Sequence, residues 1–511
     1  MNKFLKSDIE NIIKETPDLD LSIIIYQNKE TESSTNNDVE YINFGNATQK
    51  SFFPIASLTK PIVSIAFLGL LNENKIDINR KISEFEINFL NKNFKNLTIK
   101  HLLTHRSGIK NSGKLFYNNT LNNYLTEITS SIPVSETGDF SYSNNNYNLI
   151  RFIIENITKS SFEDFMNTFF KKLGMNSSFF NLSKESEAYQ SNNIIKGHLY
   201  DLDENLIEID KYPDNPINAP SFNLISTPED MKNFISYLFK DSKLSLNTLI
   251  KKQTIFESAT TLSFNYENTE DGYFLDHNGL LAIGFQSYIR IIPDKDIAFC
   301  ILANDLTIDI NLISDIITQN ITSGEYKHKF NTPLNNIIPQ VILENIKTGF
   351  YKGYETGIIE LFIEENELCL NMFEHNYEIK YYNGNKFYHY NNGFLIEMII
   401  DFENNKLYLN GESLIKTKKP EFINKSKVAR KLKGIYKHKE DILPDIEIFT
   451  EYNQENIMIF LIDSIDEFEI FILDSENEVI LPDYGHLILS YNENEQIVNF
   501  ELDGFEEYIK I

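Results

Sequence analysis

The sequence predicts an α+β protein. A mixed helix-and-strand domain covers 1–325, and two small antiparallel β-barrels follow at 340–418 and 430–511. Three observations carry this. Long helical periodicities stop before about residue 326. Strand-like runs stand at both ends of the first part, with helices between, so its sheet joins the two ends. Beyond it only short alternating strands recur, broken every 8–12 residues by turns rich in Asn, Gly and Glu.

Each element has a local reason. A short amphipathic pattern over about 5–16 predicts a first helix. Leu21–Tyr26 is an apolar β-run, and Tyr41–Phe44 returns after a polar turn as its hairpin partner. Helical patterns dominate from Pro61 to about Leu173, including an amphipathic helix over Tyr147–Ile157. Thr227 caps a further helix with Pro228 at its first position, running to Phe239. Strands return at Tyr273–Asp276, Gly284–Ile292 and Ile297–Ala303, and a closing helix spans about Ile308–Ile321. In the last third, Glu364–Met372, Phe394–Ile400 and Lys406–Leu409 read as strands. Thr348–Lys352 is echoed by Lys433–Lys437, and 405–411 by 497–504, with a basic Pro-containing linker over 416–433. That echo argues for two related barrels; one larger barrel is the alternative.

Composition narrows the partners. A length of 511 residues exceeds a single core, and 41% hydrophobic residues describe a globular chain. Net charge of −27 disfavours nucleic acid, which needs a basic face. No apolar run reaches the roughly 18 residues of a membrane span, and charges interrupt the N-terminus where a leader would be apolar. Cys300 and Cys369 lie far apart in apolar stretches and read as buried free thiols. The expectation is a cytoplasmic protein with no metal or other cofactor. His328, between two lysines, reads as a solvated linker residue. A homodimer stays open.

One short motif carries chemistry. Ser57 and Lys60 head the apolar run Pro61–Leu71. Three residues apart on a helix, they share a face, so the amine lies beside the hydroxyl. A helix start also offers unpaired N–H groups for an oxyanion. The same spacing occurs at Ser107/Lys110 and Ser413/Lys416, but the former sits in a Gly-containing turn and the latter ends a strand. A serine attacks an acyl carbon only when a base takes its proton and donors meet the oxyanion. Tyr142, in the Tyr142–Ser143–Asn144 stretch after a turn-rich segment, is the candidate second proton carrier. His277–Asn278–Gly279 is the candidate strand, with Gly279 allowing close approach to a ligand.

In this order and spacing, Ser-x-x-Lys, Tyr-Ser-Asn and His-x-Gly resemble the penicillin-recognising serine hydrolases. These include class C β-lactamases, D,D-peptidases, related esterases and D-aminopeptidases. The stretch Leu97–Ile109 is similar to a segment of that family. Ser221–Asp230 resembles its Gly-rich turn, with Phe222 and Asn223 in place of glycines, and Gly284–Ser287 resembles a further strand. The resemblance covers about 20–325 and implies a β-lactamase/D,D-peptidase-like domain with an antiparallel sheet and helices. It implies Ser57 as nucleophile, with Lys60 and Tyr142 sharing the proton work and their split open. His277 assists, Asn144 orients substrate and Lys60, and Gly279 shapes the facing strand. The N–H groups of Ser57 and Leu280 form the oxyanion hole. His101 and His105 fall in the structural segment and receive no catalytic role.

The third motif points to a substrate class. β-Lactamases and D,D-peptidases usually carry Lys where this chain has His277, and that Lys receives a substrate carboxylate. Together with two trailing barrels, the plan is similar to the D-aminopeptidases. The resemblance therefore implies a serine hydrolase acting through an acyl-enzyme on small peptides, amides or esters, foremost a D-stereospecific aminopeptidase. A broad esterase or weak β-lactamase is the alternative, and a non-catalytic binding protein on the same scaffold is the third reading. In the aminopeptidases a barrel loop reaches the active site. Here that implies 479–485, with Asp483 as the carboxylate for a substrate ammonium; an ordinary hairpin loop is the other reading.

Overall fold

The computed structural model describes residues within 3–29, 38–111, 120–180, 193–240, 259–322, 337–418 and 432–510, with short breaks inside several spans. Among the described residues, eight helices belong to the first part: α1 (Lys3–Ile13), α2 (Thr59–Glu73), α3 (Ile99–Leu103), α4 (Leu121–Ser130), α5 (Asn144–Thr158), α6 (Phe162–Leu173), α7 (Pro228–Lys240) and α8 (Ile310–Thr322). Strands β1 (Leu21–Gln27) and β2 (Asp38–Phe44) open it. Two short pairs lie among the helices, β3 (Phe53–Pro54) with β6 (Ile225–Ser226), and β4 (Gly197–Tyr200) with β5 (Leu206–Ile209). The strands β7 (Ala259–Thr260), β8 (Asn265–Thr269), β9 (Gly272–Leu281), β10 (Phe285–Ile292) and β11 (Ile297–Ala303) complete the set.

The main sheet runs β2-β1-β11-β10-β9-β8-β7, antiparallel at every pairing. β1 beside β11 is the expected junction of the domain's two ends. Both faces of this sheet are covered, which explains why β1 is apolar on both faces, with Ser22 hydrogen-bonded to Asn43 Oδ1 as the buried exception. Leu21, Ile23 and Ile25 pack with α1 and α8 residues such as Ile9, Ile313 and Ile317. Ile24 and Tyr26 enter the opposite core, formed with α2, α5, α6 and α7. α2 is buried almost all round, so its apolar residues show no single stripe. Among the described residues no helix is long and apolar enough to cross a membrane.

Eight strands, from β12 (Gly349–Lys352) to β18 (Lys406–Leu409) and β19 (Glu412–Lys416), form a closed antiparallel barrel. Its interior is the cluster of Ile359, Leu361, Leu368, Leu370, Phe387, Met398, Leu407, Leu409 and others. In the last module the described residues form an antiparallel sheet of nine strand segments, from β20 (Gly434–His438) to β28 (Glu506–Lys510), whose outermost segments β23 (Ser464–Glu469) and β24 (Phe471–Ile472) are separated by one residue in sequence. Tyr436, Leu489, Phe500 and Tyr508 of that sheet belong to the same apolar cluster as the first domain's core.

The sequence echo has a structural counterpart. In both modules the first strand pairs with the second and with the last. Tyr351 donates its hydroxyl proton to Lys347 O, and Tyr436 does the same to Leu432 O, each four residues back. Lys416 from the last strand lies 5.8 Å over the Tyr351 ring, and Lys510 lies 5.5 Å over Tyr436. The cysteines are both free; Cys300 is buried in β11, whereas Cys369, in β14 (Glu367–Met372), is only half-buried, because its strand's outer face is open to solvent.

Candidate active site

Ser57 sits just before α2, in a 3-10 turn over Ala56–Leu58, so the expected helix start is tighter than a regular α-helical turn. Ala56 is held at φ +47, a left-handed conformation uncommon for a residue with a Cβ. The neighbours over-determine that turn. Ser287 Oγ donates to Ile55 O at 2.7 Å, and Thr59 Oγ1 donates to Ala56 O at 2.6 Å. Ile55 N–H donates to Leu224 O, and Leu224 N–H donates back to Thr59 Oγ1. Strain of this kind persists only where surroundings fix it, and it gathers at functional sites.

Lys60 is fully buried, and its Nζ lies 3.0 Å from Ser57 Oγ. It also donates to Asn144 Oδ1 at 2.7 Å and to Ser221 O at 2.9 Å. Both of these partners are carbonyl oxygens, which only accept. They therefore take two N–H bonds, and the third corner of the amine faces Ser57. Burial lowers the Lys60 pKa well below the usual lysine range. A neutral amine presents its lone pair at that corner, toward the Ser57 hydroxyl. Tyr142 reaches the same oxygen from another side, donating to Ser57 Oγ at 3.0 Å. Its ring lies 4.8 Å from Lys60 Nζ, a cation–π distance that favours the ammonium once it forms.

The strand β9 closes the far side. His277, Asn278 and Gly279 lie inside β9, the strand expected there. β8 pairs only with Gly272–Asp276, so β9 runs on past it from His277. A Cβ on Gly279 would stand 2.9 Å from Ser57 N and 2.9 Å from Ile55 O, so the strand passes directly against the Ser57 turn. His277 is buried, and burial together with the Lys60 charge pushes its pKa down to about 3. Its Nδ1 lies 2.6 Å from Asn278 O, which only accepts, so Nδ1 carries the proton and Nε2 is left as an acceptor. Leu280 is 60% exposed at the rim. Asp483 lies outside the described residues, as does His328.

Three contributors carried no role in the sequence reading. Ser221 acts through its backbone oxygen, which no side-chain pattern signals. Ser287 stands in the Gly284–Ser287 stretch, where only position in the strand could have singled it out. His105, placed with the structural segment, stacks on the Tyr142 ring at 4.4 Å and 28°. Its Nδ1 accepts the Ser143 N–H at 3.0 Å and its carbonyl accepts the Ser141 N–H at 2.8 Å. Burial, with Lys60 and His277 adding to it, holds the His105 pKa well below the imidazole range. The alternative Ser-x-x-Lys serines are elsewhere engaged: Ser107 Oγ donates to Asn146 Oδ1, and Ser413 lies in the barrel. Among the described residues no three His, Cys, Asp or Glu side chains gather as a metal-binding group.

Known proteins share this arrangement of elements. A family model described as beta-lactamase matches residues 10–309. Protein flp of Staphylococcus aureus is 27% identical over 279 residues, covering 50% of this chain and 54% of its own length. The chain thus spans about half the length of the curated relatives it matches. Among solved structures, an octameric penicillin-binding protein homologue from Pyrococcus abyssi is 21% identical with a TM-score of 0.52. The match covers 81% of this chain and 99% of that one. SurE, solved with D-Leu, gives 15% identity and a TM-score of 0.56 over 81% of this chain and 99% of its own. These structural likenesses concern the fold.

Proposed function

Because the chain belongs to the beta-lactamase family, whose members are serine hydrolases, we propose that it hydrolyses small peptides, amides or esters through an acyl-enzyme on Ser57, foremost as a D-stereospecific aminopeptidase. The observation that carries this reading is the contact set on one oxygen: Lys60 Nζ and Tyr142 OH each stand 3.0 Å from Ser57 Oγ. The steps follow from it. Ser57 Oγ bonds to the acyl carbon as its proton passes to Lys60. The N–H groups of Ser57 and Leu280 receive the oxyanion. Collapse breaks the bond to the leaving amine or alcohol, which takes the proton through Tyr142. Water then attacks the acyl group, its proton leaves by the same relay, and Ser57 is regained with the free acid.

His277 supports the amine-bearing class. It is neutral and leaves an acceptor nitrogen, so it suits a substrate N–H or ammonium and offers no cation to a carboxylate. The neighbour solved with D-Leu is consistent with D-residues, and the presence of two β modules after the first domain favours the aminopeptidase reading. The test is a panel of D- and L-aminoacyl p-nitroanilides with full-length protein. Cleavage of D-Ala-p-nitroanilide, abolished in Ser57→Ala, supports the reading. Nitrophenyl-ester or nitrocefin turnover far above any anilide selects the esterase or weak β-lactamase instead. No labelling of Ser57 by a fluorophosphonate leaves a binding protein.

A further inference from the structure

The barrel does not merely follow the first domain; it holds the segment that leads to Tyr142. Residues 136–141 run into Tyr142, and the β18–β19 hairpin grips them at several points. The Phe140 N–H donates to Gly411 O at 3.2 Å, at the hairpin's turn. Lys406 pairs with Glu136 and lies 3.7 Å from Asp139. The Ser413 side chain favours the charged form of the Asp139 carboxylate. Asp139 is buried at this junction, and burial raises its pKa against the pull of Lys406 and Ser413. Gly411 adopts φ +90, and a Cβ there would stand 3.3 Å from Phe140 Cβ. The turn therefore lies flat on Phe140.

From that grip the contacts continue inward. The Arg106 guanidinium donates to Gly138 O at 2.8 Å, and Gly138 N–H donates to Arg106 O at 2.9 Å. Phe140 meets His105 edge-on at 6.2 Å, and His105 stacks on Tyr142. Every link joins neighbouring packed groups between the barrel and the Ser57 oxygen.

We propose that Lys406 of the barrel is a positioning residue for Tyr142, acting through Asp139 and the 136–141 segment. The inference rests on the proposed role of Tyr142 at Ser57. Lys406 anchors two carboxylates of that segment, and the Gly411 turn sets its height. Released, the segment shifts by a fraction of an ångström, and the phenol leaves its place beside Ser57 Oγ. Misplacement on that scale lowers rate without removing substrate contacts.

The test uses the full chain with three variants: Lys406→Met, Lys406→Arg, and Lys406→Gln. Readouts are the rate of fluorophosphonate labelling at Ser57 and kcat and KM for a p-nitrophenyl ester across pH, with thermal melts alongside. Lys406→Met is expected to lose ~10-fold or more in labelling and kcat, with KM within about twofold and an altered pH profile. Lys406→Arg, which keeps the charge, is expected to recover to within about threefold. If Lys406→Met does not fold, Lys406→Gln is read by the same criteria. Wild-type protein labelled at the same rate as the variants overturns the proposal. So does a loss in which kcat, KM and melting temperature fall together, which is domain docking alone. Unlabelled wild-type protein overturns the catalytic reading and this proposal with it.

Discussion

Gly279→Ala tests the closeness of β9 to the nucleophile. The added methyl enters a space already occupied on three sides. It falls far inside contact distance of Ser287 Oγ, and 2.9 Å from both Ile55 O and Ser57 N. The serine hydroxyl can rotate away, but it then gives up its 2.7 Å bond to Ile55 O, worth about 1 kcal/mol. The two backbone atoms cannot rotate, so β9 or the Ser57 turn must move by a few tenths of an ångström. Overpacking of this kind costs ~1–3 kcal/mol in stability. The larger effect falls on rate, because the shift separates Ser57 from donors that must meet the oxyanion; ~10²-fold in kcat/KM is expected. The assay is ester hydrolysis and fluorophosphonate labelling of wild type, Gly279→Ala, Ser287→Ala and the double variant. Removing the Ser287 hydroxyl relieves one of the three clashes, so the double variant regains stability but only part of the rate. Complete recovery of rate in the double variant would refute the backbone argument, and so would Gly279→Ala within twofold of wild type.

Lys60→Met removes the proton acceptor and leaves Ser57 with Tyr142 alone; labelling is expected to fall ~10²–10⁴-fold, with the lysine's limb of the pH–rate profile lost. In wild-type protein that limb lies below the ordinary lysine range, because burial lowers the Lys60 pKa. His277 sets a pH dependence of stability. Its folded pKa of about 3 lies below the unfolded value near 6.5, so between them the unfolded chain binds more protons. Stability therefore falls with acidification from about pH 6.5 downward, by ~1.4 kcal/mol per pH unit for that group. His277→Gln is expected to flatten the slope by one proton in denaturant melts run from pH 7 to 4; an unchanged slope argues against a buried neutral imidazole. His105→Ala leaves the Ser143 N–H without its imidazole acceptor and Tyr142 without its stacking partner. It should lower stability by ~1–3 kcal/mol and slow labelling more than it raises KM.

The site was legible where helical spacing does the work. Ser57 and Lys60 meet because three residues make nearly one turn, and Asn144 joins them from the start of α5. It was less legible where tertiary contacts decide. The strand reading of His277–Asn278–Gly279 holds, but only the fold shows that β9 carries His277 and Gly279 against the Ser57 turn. His105 has the residue type of a structural histidine and the position of a functional one; only the fold brings its ring onto Tyr142. The left-handed Ala56 carries no sequence mark at all, since the residue type argues against it. Among the later strands, β14 turns Leu368 and Leu370 inward, while Cys369, expected to be buried because its neighbours are apolar, lies on the alternate, outer face.

The paired tyrosine–lysine seams have a consequence for how such modules change. The same join of first to last strand, with a tyrosine tied four residues back and a lysine over its ring, recurs in both modules. The joint works as a clasp, holding the module's two chain ends side by side. Changes made in the walls away from the seam leave the clasp intact.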